Sequence, residues 1–227
     1  MRNIAFAPGE YYHIYNRGTD KREIVSDKED SERFIKSMKL FNARKPIGSI
    51  YELSFDNLWK MGHRTRDGGK LVEFVAYCLN PNHYHLLVRE NMDGGISEFM
   101  KRLGGGYTGY YNTKHKRSGV LFQGKFKAKH ITTDGYLTHL SVYINLNDRA
   151  HQLGGPTAKL VRSSWDEYCG NMRDTRFGEI CTGKGVVLNQ FKDKKAYDIF
   201  AKTSLRDIVT NKKAKRLEEE LEKLLLE

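Results

Sequence analysis

The run YCLNPNHYHLLVRE, Tyr77 to Glu90, carries two histidines, His83 and His85, around a single tyrosine in an otherwise apolar stretch. On a strand alternate side chains share a face, so the two imidazoles point one way, with Cβ atoms roughly 6.5–7 Å apart, and Tyr84 points the other. Two imidazoles can converge on one divalent ion across that gap, but most such ions need further oxygen or nitrogen donors. Metal ligation, hydrogen-bonded core histidines and incidental surface alternation all remain open from this segment alone. Farther on, YINLN places Tyr143 and Asn147 four residues apart, on one face of a helix. An asparagine carbonyl suits a hard divalent ion, and a tyrosine one turn away could reach a phosphoryl group held there. The plainer reading of Tyr143 is a half-buried helix tyrosine with a satisfied hydroxyl. Were the two halves to converge, the ion would offset charge on the nonbridging oxygens of a phosphodiester. The Tyr143 phenolate would then attack phosphorus and leave a phosphotyrosine. Free tyrosine titrates near 10, so the ion, nearby lysines or a base must assist its deprotonation.

The elements that would position these groups can be read from periodicity. YYHIYN, Tyr11 to Asn16, is a strand candidate closed by Arg17-Gly18, and SDKEDSERFIKSMKLF predicts a helix from about Asp27, with Phe34, Met38 and Phe41 as its apolar stripe. Val72 to Cys78 and His83 to Glu90 predict two strands broken by Leu79-Asn80-Pro81-Asn82. Ile96 to Leu103 reads as helix, and Gly104-Gly105-Gly106 with Gly109 argue against its continuation. VLFQGKFKAKHI, Val120 to Ile131, predicts a strand with one cationic face, and Asp134 to Asn147 a helix with Asp134 as N-cap. In 42–70, SIYEL fits a short strand or a helix end, and MGHRTRDGGK a polar loop. Composition changes at HQLGGPTAK, placing the end of a main domain, 1–150, near Ala150 and leaving a 151–227 extension. That extension holds a helix candidate from Lys194 to Phe200 and a terminal helix, KKAKRLEEELEKLLLE.

Charge narrows the partner. The 227 residues carry 39 Lys and Arg against 28 Asp and Glu, a net +11. No acid occurs between Phe99 and Thr133, where Lys114, Lys116, Arg117, Lys125, Lys127 and Lys129 fall. With Arg17, these are the candidate contacts to a nucleic-acid backbone, and Tyr107, Tyr110, Tyr111 and Phe122 could stack on unpaired bases. Three cysteines, Cys78, Cys169 and Cys181, are too few and too widely spaced for a disulfide framework or a CxxC metal site. No run approaches membrane-spanning length and the N-terminus lacks an apolar signal core, so a cytoplasmic protein is expected.

PNHYHLLV, GVLFQGKFKA and YINLN together resemble the IS200-like transposases, single-tyrosine HUH nucleases, and within them the REP-associated tyrosine transposases. YYHIYNRG resembles the family's opening strand and SSWDEYCG a segment after its catalytic region, so the similarity covers about residues 9–170. The resemblance implies an α+β, ferredoxin-like core: a central antiparallel sheet with helices packed on one face, followed here by a C-terminal helical extension. It implies Tyr143 as nucleophile, His83, His85 and Asn147 as ligands of Mg²⁺ or Mn²⁺, and cleavage of single-stranded DNA at hairpin or palindromic repeats through a 5′-phosphotyrosine. It also implies a monomer, or a homodimer that exchanges nucleophile helices. The family's helix commonly ends in Asn-Pro, whereas here Asp148 follows Asn147.

Rival readings make different predictions. A noncatalytic protein for structured DNA or RNA would bind without forming a covalent adduct. A metallohydrolase using water would keep cleaving after Tyr143→Phe, and a structural domain would use its terminal helix for assembly alone.

Overall fold

A computed structural model describes residues 4–46, 69–151, 155–170 and 178–224. SIYEL and most of MGHRTRDGGK fall outside these residues. The chain opens with β1 (Tyr11–Arg17), α1 (Lys28–Phe41), β2 (Val72–Leu79), β3 (His83–Glu90), α2 (Gly95–Lys114) and β4 (Lys127–Ile131). Then follow α3 (Asp134–Asn145), α4 (Asn147–Ala150), α5 (Gly155–Ala158), β5 (Arg162–Ser163), α6 (Trp165–Cys169), α7 (Gly185–Leu188) and α8 (Lys194–Leu224).

The strands form one antiparallel sheet in the order β4-β1-β3-β2-β5. The first four, linked β-α-β-β-α-β, are the ferredoxin-like unit, and the histidine-bearing β3 is central. α1 and α2 lie on one face, as the resemblance implies. Phe34 and Met38 from α1, with Phe99 and Tyr107 from α2, bury against Tyr12, Ile14, Phe74, Tyr84 and Leu86. Tyr84, 2% exposed, stands 5.4 Å from Phe34 between ring centroids. It is a core residue, as strand alternation requires.

The opposite face, which carries His13, His83 and His85, receives α3 and the C-terminal helices. Leu140 and Ile144 of α3 share a second core with Leu87, Val187, Tyr197 and Ala201. At the centre of this packing is a buried polar network. The Tyr197 hydroxyl lies 3.1 Å from Ser141 Oγ and accepts from Asn145 Nδ2 at 3.0 Å, while Ser164 joins Asn145 to the backbone of Tyr77.

Several boundaries move from expectation. Helix α2 runs through the glycines to Lys114, because Tyr107 and Tyr111 anchor its second half beneath the loop before α1. The Tyr107 hydroxyl donates to Ile24 O at 2.7 Å, and that of Tyr111 lies 2.7 Å from Ser26 Oγ. Tyr107 and Tyr111 are buried and cannot stack on bases; Phe122 packs against this core, and Tyr110 carries the Arg33 guanidinium over its ring at 4.8 Å. The basic strand shortens to Lys127–Ile131, since Phe122 makes only an isolated bridge to Gly18. Thr133, not Asp134, caps α3, its side chain accepting from Tyr136 N. The expected helix over 134–147 breaks at Leu146 (φ −114°, ψ 25°), so Tyr143 sits on α3 and Asn147 opens α4. Finally, Lys194–Phe200 and the terminal segment as far as Leu224 form one helix, α8.

Candidate active site

The register fixes what β3 presents. Tyr15 lies opposite His85, Arg17 opposite His83 and Cys78 opposite His85, so these side chains share the face covered by α3. Tyr15 also lies opposite Lys127, and His13 opposite Lys129, which brings the cationic side of β4 to that same face. Between the elements lies a cavity of about 530 Å³ whose lining includes His83, His85, Tyr143, Arg17 and Lys127.

At its floor the two halves of the sequence pattern meet. His83 Nε2 is 3.1 Å from Asn147 Oδ1, and the Tyr143 ring stands 5.5 Å from that of His85. The rings of His83 and His85 are 5.2 Å apart, nearly perpendicular. Asn80, absent from the sequence-based assignment, ties the centre together: its Nδ2 lies 2.7 Å from Asn147 Oδ1 and 2.9 Å from His83 Nε2. Asn82 Oδ1 is 2.6 Å from His83 Nδ1, which directs the proton of that ring to Nδ1 and leaves a lone pair at Nε2.

These residues fit a hard divalent ion. Two donors sharing one octahedral Mg²⁺ or Mn²⁺ at about 2.1 Å stand about 3.0 Å apart. The His83–Asn147 separation already matches that value, and Asn147 is fully buried. Burial raises the Tyr143 pKa above the usual phenol value; the Asn147 amide works against this, and Cys78 adds to it. The resting nucleophile candidate is therefore a neutral phenol. His13, buried behind His85, is pushed down to about 4 by burial, reinforced by Lys129, and is neutral at neutral pH.

The basic candidates divide. Arg17 and Lys127 line the cavity, and Arg17 Nε donates to Gln123 Oε1 beside it. Lys129 instead rests over the Tyr136 ring, 4.5 Å from its centroid. Lys125 and Lys116 are exposed, and the Arg117 guanidinium lies over Tyr111; none of the three lines the cavity. Lys114 is held by Asp27 at 2.7 Å and by Asp30 and Glu29 at 3.0 Å, at the start of α1. Asp27, Asp30 and His115 there form the single group of three or more His, Cys or acidic ligands close enough for a metal among the described residues. The Lys114 ammonium already stands between the two carboxylates, 2.7 Å from Asp27 and 3.0 Å from Asp30, and the group lies among the α1–α2 contacts on the far side of the sheet.

Sequence reasoning missed His13, Asn80, Asn82, Lys21, Gln123 and His151. Lys21, Gln123 and His151 line the cavity, and the His151 ring is 5.5 Å from that of His83. The polar pair flanking Pro81 and the strand period of YYHIYN were the available signals for Asn80, Asn82 and His13. His151, one turn beyond Asn147, carried a helical-spacing signal.

Residues 59–147 match the family model described as "Transposase IS200 like". That span begins before β2 and ends on Asn147, so it holds both histidines, the tyrosine and the asparagine. Over that span the chain is similar to the IS200-like transposases. Among solved structures, that of a REP-associated tyrosine transposase bound to a REP hairpin aligns with a TM-score of 0.46 at 13% identity, over 75% of this chain and 85% of that one. No curated protein sequence matches the chain. Among the described residues no helix is long and apolar enough to cross a membrane.

Proposed function

We propose that the protein is a metal-dependent single-stranded DNA endonuclease and strand transferase, acting at hairpin or palindromic repeat sites through a 5′-phosphotyrosine on Tyr143. The observation that carries this reading is the meeting of α3–α4 with β3: Asn147 Oδ1 lies 3.1 Å from His83 Nε2, with Tyr143 beside His85.

His83, His85 and Asn147 would hold Mg²⁺ or Mn²⁺, which when bound offsets charge on the nonbridging phosphate oxygens and lowers the cost of forming phenolate. Arg17 and Lys127 hold the DNA backbone at the cavity wall. Tyr143 loses its proton to water at the cavity mouth and attacks phosphorus. A bond forms between its oxygen and phosphorus while the P–O3′ bond breaks, and the departing 3′ oxygen takes up a proton as a free hydroxyl. The reverse attack by a 3′-hydroxyl on the phosphotyrosine rejoins strands and restores the phenol.

The test is incubation with labelled single-stranded hairpin DNA and Mn²⁺, followed by denaturing electrophoresis in SDS. Wild type should yield a protein–DNA adduct, and Tyr143→Phe and His83→Ala should not. Cleavage by Tyr143→Phe would instead favour water as nucleophile, and binding without any adduct would favour the noncatalytic reading.

A further inference from the structure

His85 lines the cavity, but the residue behind it does not. His13, on the neighbouring strand, is 8% exposed, and its Nε2 lies 2.9 Å from His85 Nδ1. The register explains the pairing: Tyr15 is directly opposite His85, and His13 is the next residue of β1 on that face. The two rings are 5.1 Å apart and tilted by 27°, close to parallel, so the contact runs edge to edge through the two nitrogens. His83 has an analogous arrangement, its Nδ1 lying 2.6 Å from Asn82 Oδ1. Both imidazoles thus commit Nδ1 to a protein partner. An imidazole ligates only through a nitrogen without a proton, so its proton must sit on the other nitrogen, and the group accepting that proton fixes the tautomer and the ring direction.

The geometry points to His13 as the positioning residue of His85: its Nε2 accepts the Nδ1–H of His85 and holds the Nε2 lone pair of His85 toward the cavity. His13 carries its own proton on Nδ1 in this arrangement. It touches neither DNA nor ion and acts only through His85. The inference rests on the reading of His83, His85 and Asn147 as metal ligands.

Mn²⁺ titration by calorimetry, without DNA, reads this directly. His13→Phe, which removes the acceptor, should weaken Mn²⁺ binding by about 10–100-fold. His13→Gln, whose Oε1 can accept the same proton, should recover most of that loss, and hairpin binding in EDTA should be unchanged in both. Long-range ¹H–¹⁵N spectra of the metal-free wild type should show His85 protonated at Nδ1, a readout that needs no variant to fold. His85 protonated at Nε2 overturns the inference. So does wild-type Mn²⁺ affinity in His13→Phe when His85→Ala has lost it. If His85→Ala binds Mn²⁺ as wild type does, the metal reading itself falls and takes the His13 role with it.

Discussion

Burial raises the Tyr143 phenol above its usual titration range, so the proposed nucleophile is a neutral phenol in the metal-free protein. Phenolate, and with it the rate, should therefore increase with pH throughout the neutral range. Single-turnover adduct formation at saturating Mn²⁺ should show a slope of about one in log rate against pH between roughly 6 and 8. A flat profile would remove the phenol from the rate-determining step. The tyrosine between the histidines should behave differently: Tyr84→Phe, altering a core side chain on the far face, should still form adduct, at a stability cost of about 1 kcal/mol. His13 contributes a pH dependence of the opposite origin. Its pKa in the fold is about 4, below the ordinary 6.5, so the neutral ring is favoured by folding. The associated stability is complete above 6.5 and is lost as pH falls through 4, amounting to on the order of 3 kcal/mol at most. Thermal melts of metal-free protein from pH 7 to pH 4 should show a smaller decline for His13→Phe than for wild type.

At the scale of elements, α3, which carries Tyr143, is held from behind. Ser141 and Asn145 flank Tyr143 at two residues either side and point to the far side of α3, where Tyr197 of α8 meets both. Tyr197→Phe leaves these buried groups short of a partner and should cost roughly 1–3 kcal/mol, read as a lowered Tm. A variant as stable as wild type would mean that the network is dispensable. In α2 the three consecutive glycines are not equivalent. A Cβ at Gly106 would stand 2.5 Å from the Phe41 ring of α1, whereas Gly104 and Gly105 face open space. Gly104→Ala and Gly105→Ala should each stabilise by roughly 0.5–1 kcal/mol through helix propensity, and Gly106→Ala should destabilise through that contact.

Across the whole molecule, the net charge of +11 is not one binding surface. Lys114 is committed to Asp27, Glu29 and Asp30, so Lys114→Met should lower stability by roughly 1–3 kcal/mol while leaving the salt dependence of DNA binding nearly unchanged. Lys127 and Lys21 line the cavity, and each replaced by methionine should reduce the slope of log affinity against log salt by about 0.7 for single-stranded DNA. Fluorescence titrations of hairpin DNA at several salt concentrations separate the two classes. Equal slope changes for Lys114 and Lys127 would contradict the division of the basic residues.

By itself the sequence determined the order of elements, since apolar period and turn residues are local: β3 begins and ends where the His83–Glu90 pattern does, and α1 starts at the Asp27 cap. Strand alternation likewise determined that His83 and His85 share a face and that Tyr84 opposes them. Resemblance added the pairing of that strand with Tyr143 and Asn147. Only the tertiary structure decided that Asn147 leaves the Tyr143 helix at Leu146 to meet His83, that Asn80 reaches Asn147, and that His13 meets His85. It alone separated the lysines that reach the cavity from the one neutralised beneath α1. Those outcomes depend on contacts between residues 64 to 87 positions apart in the chain, and a hydrogen bond formed across that separation leaves no periodic trace in the sequence.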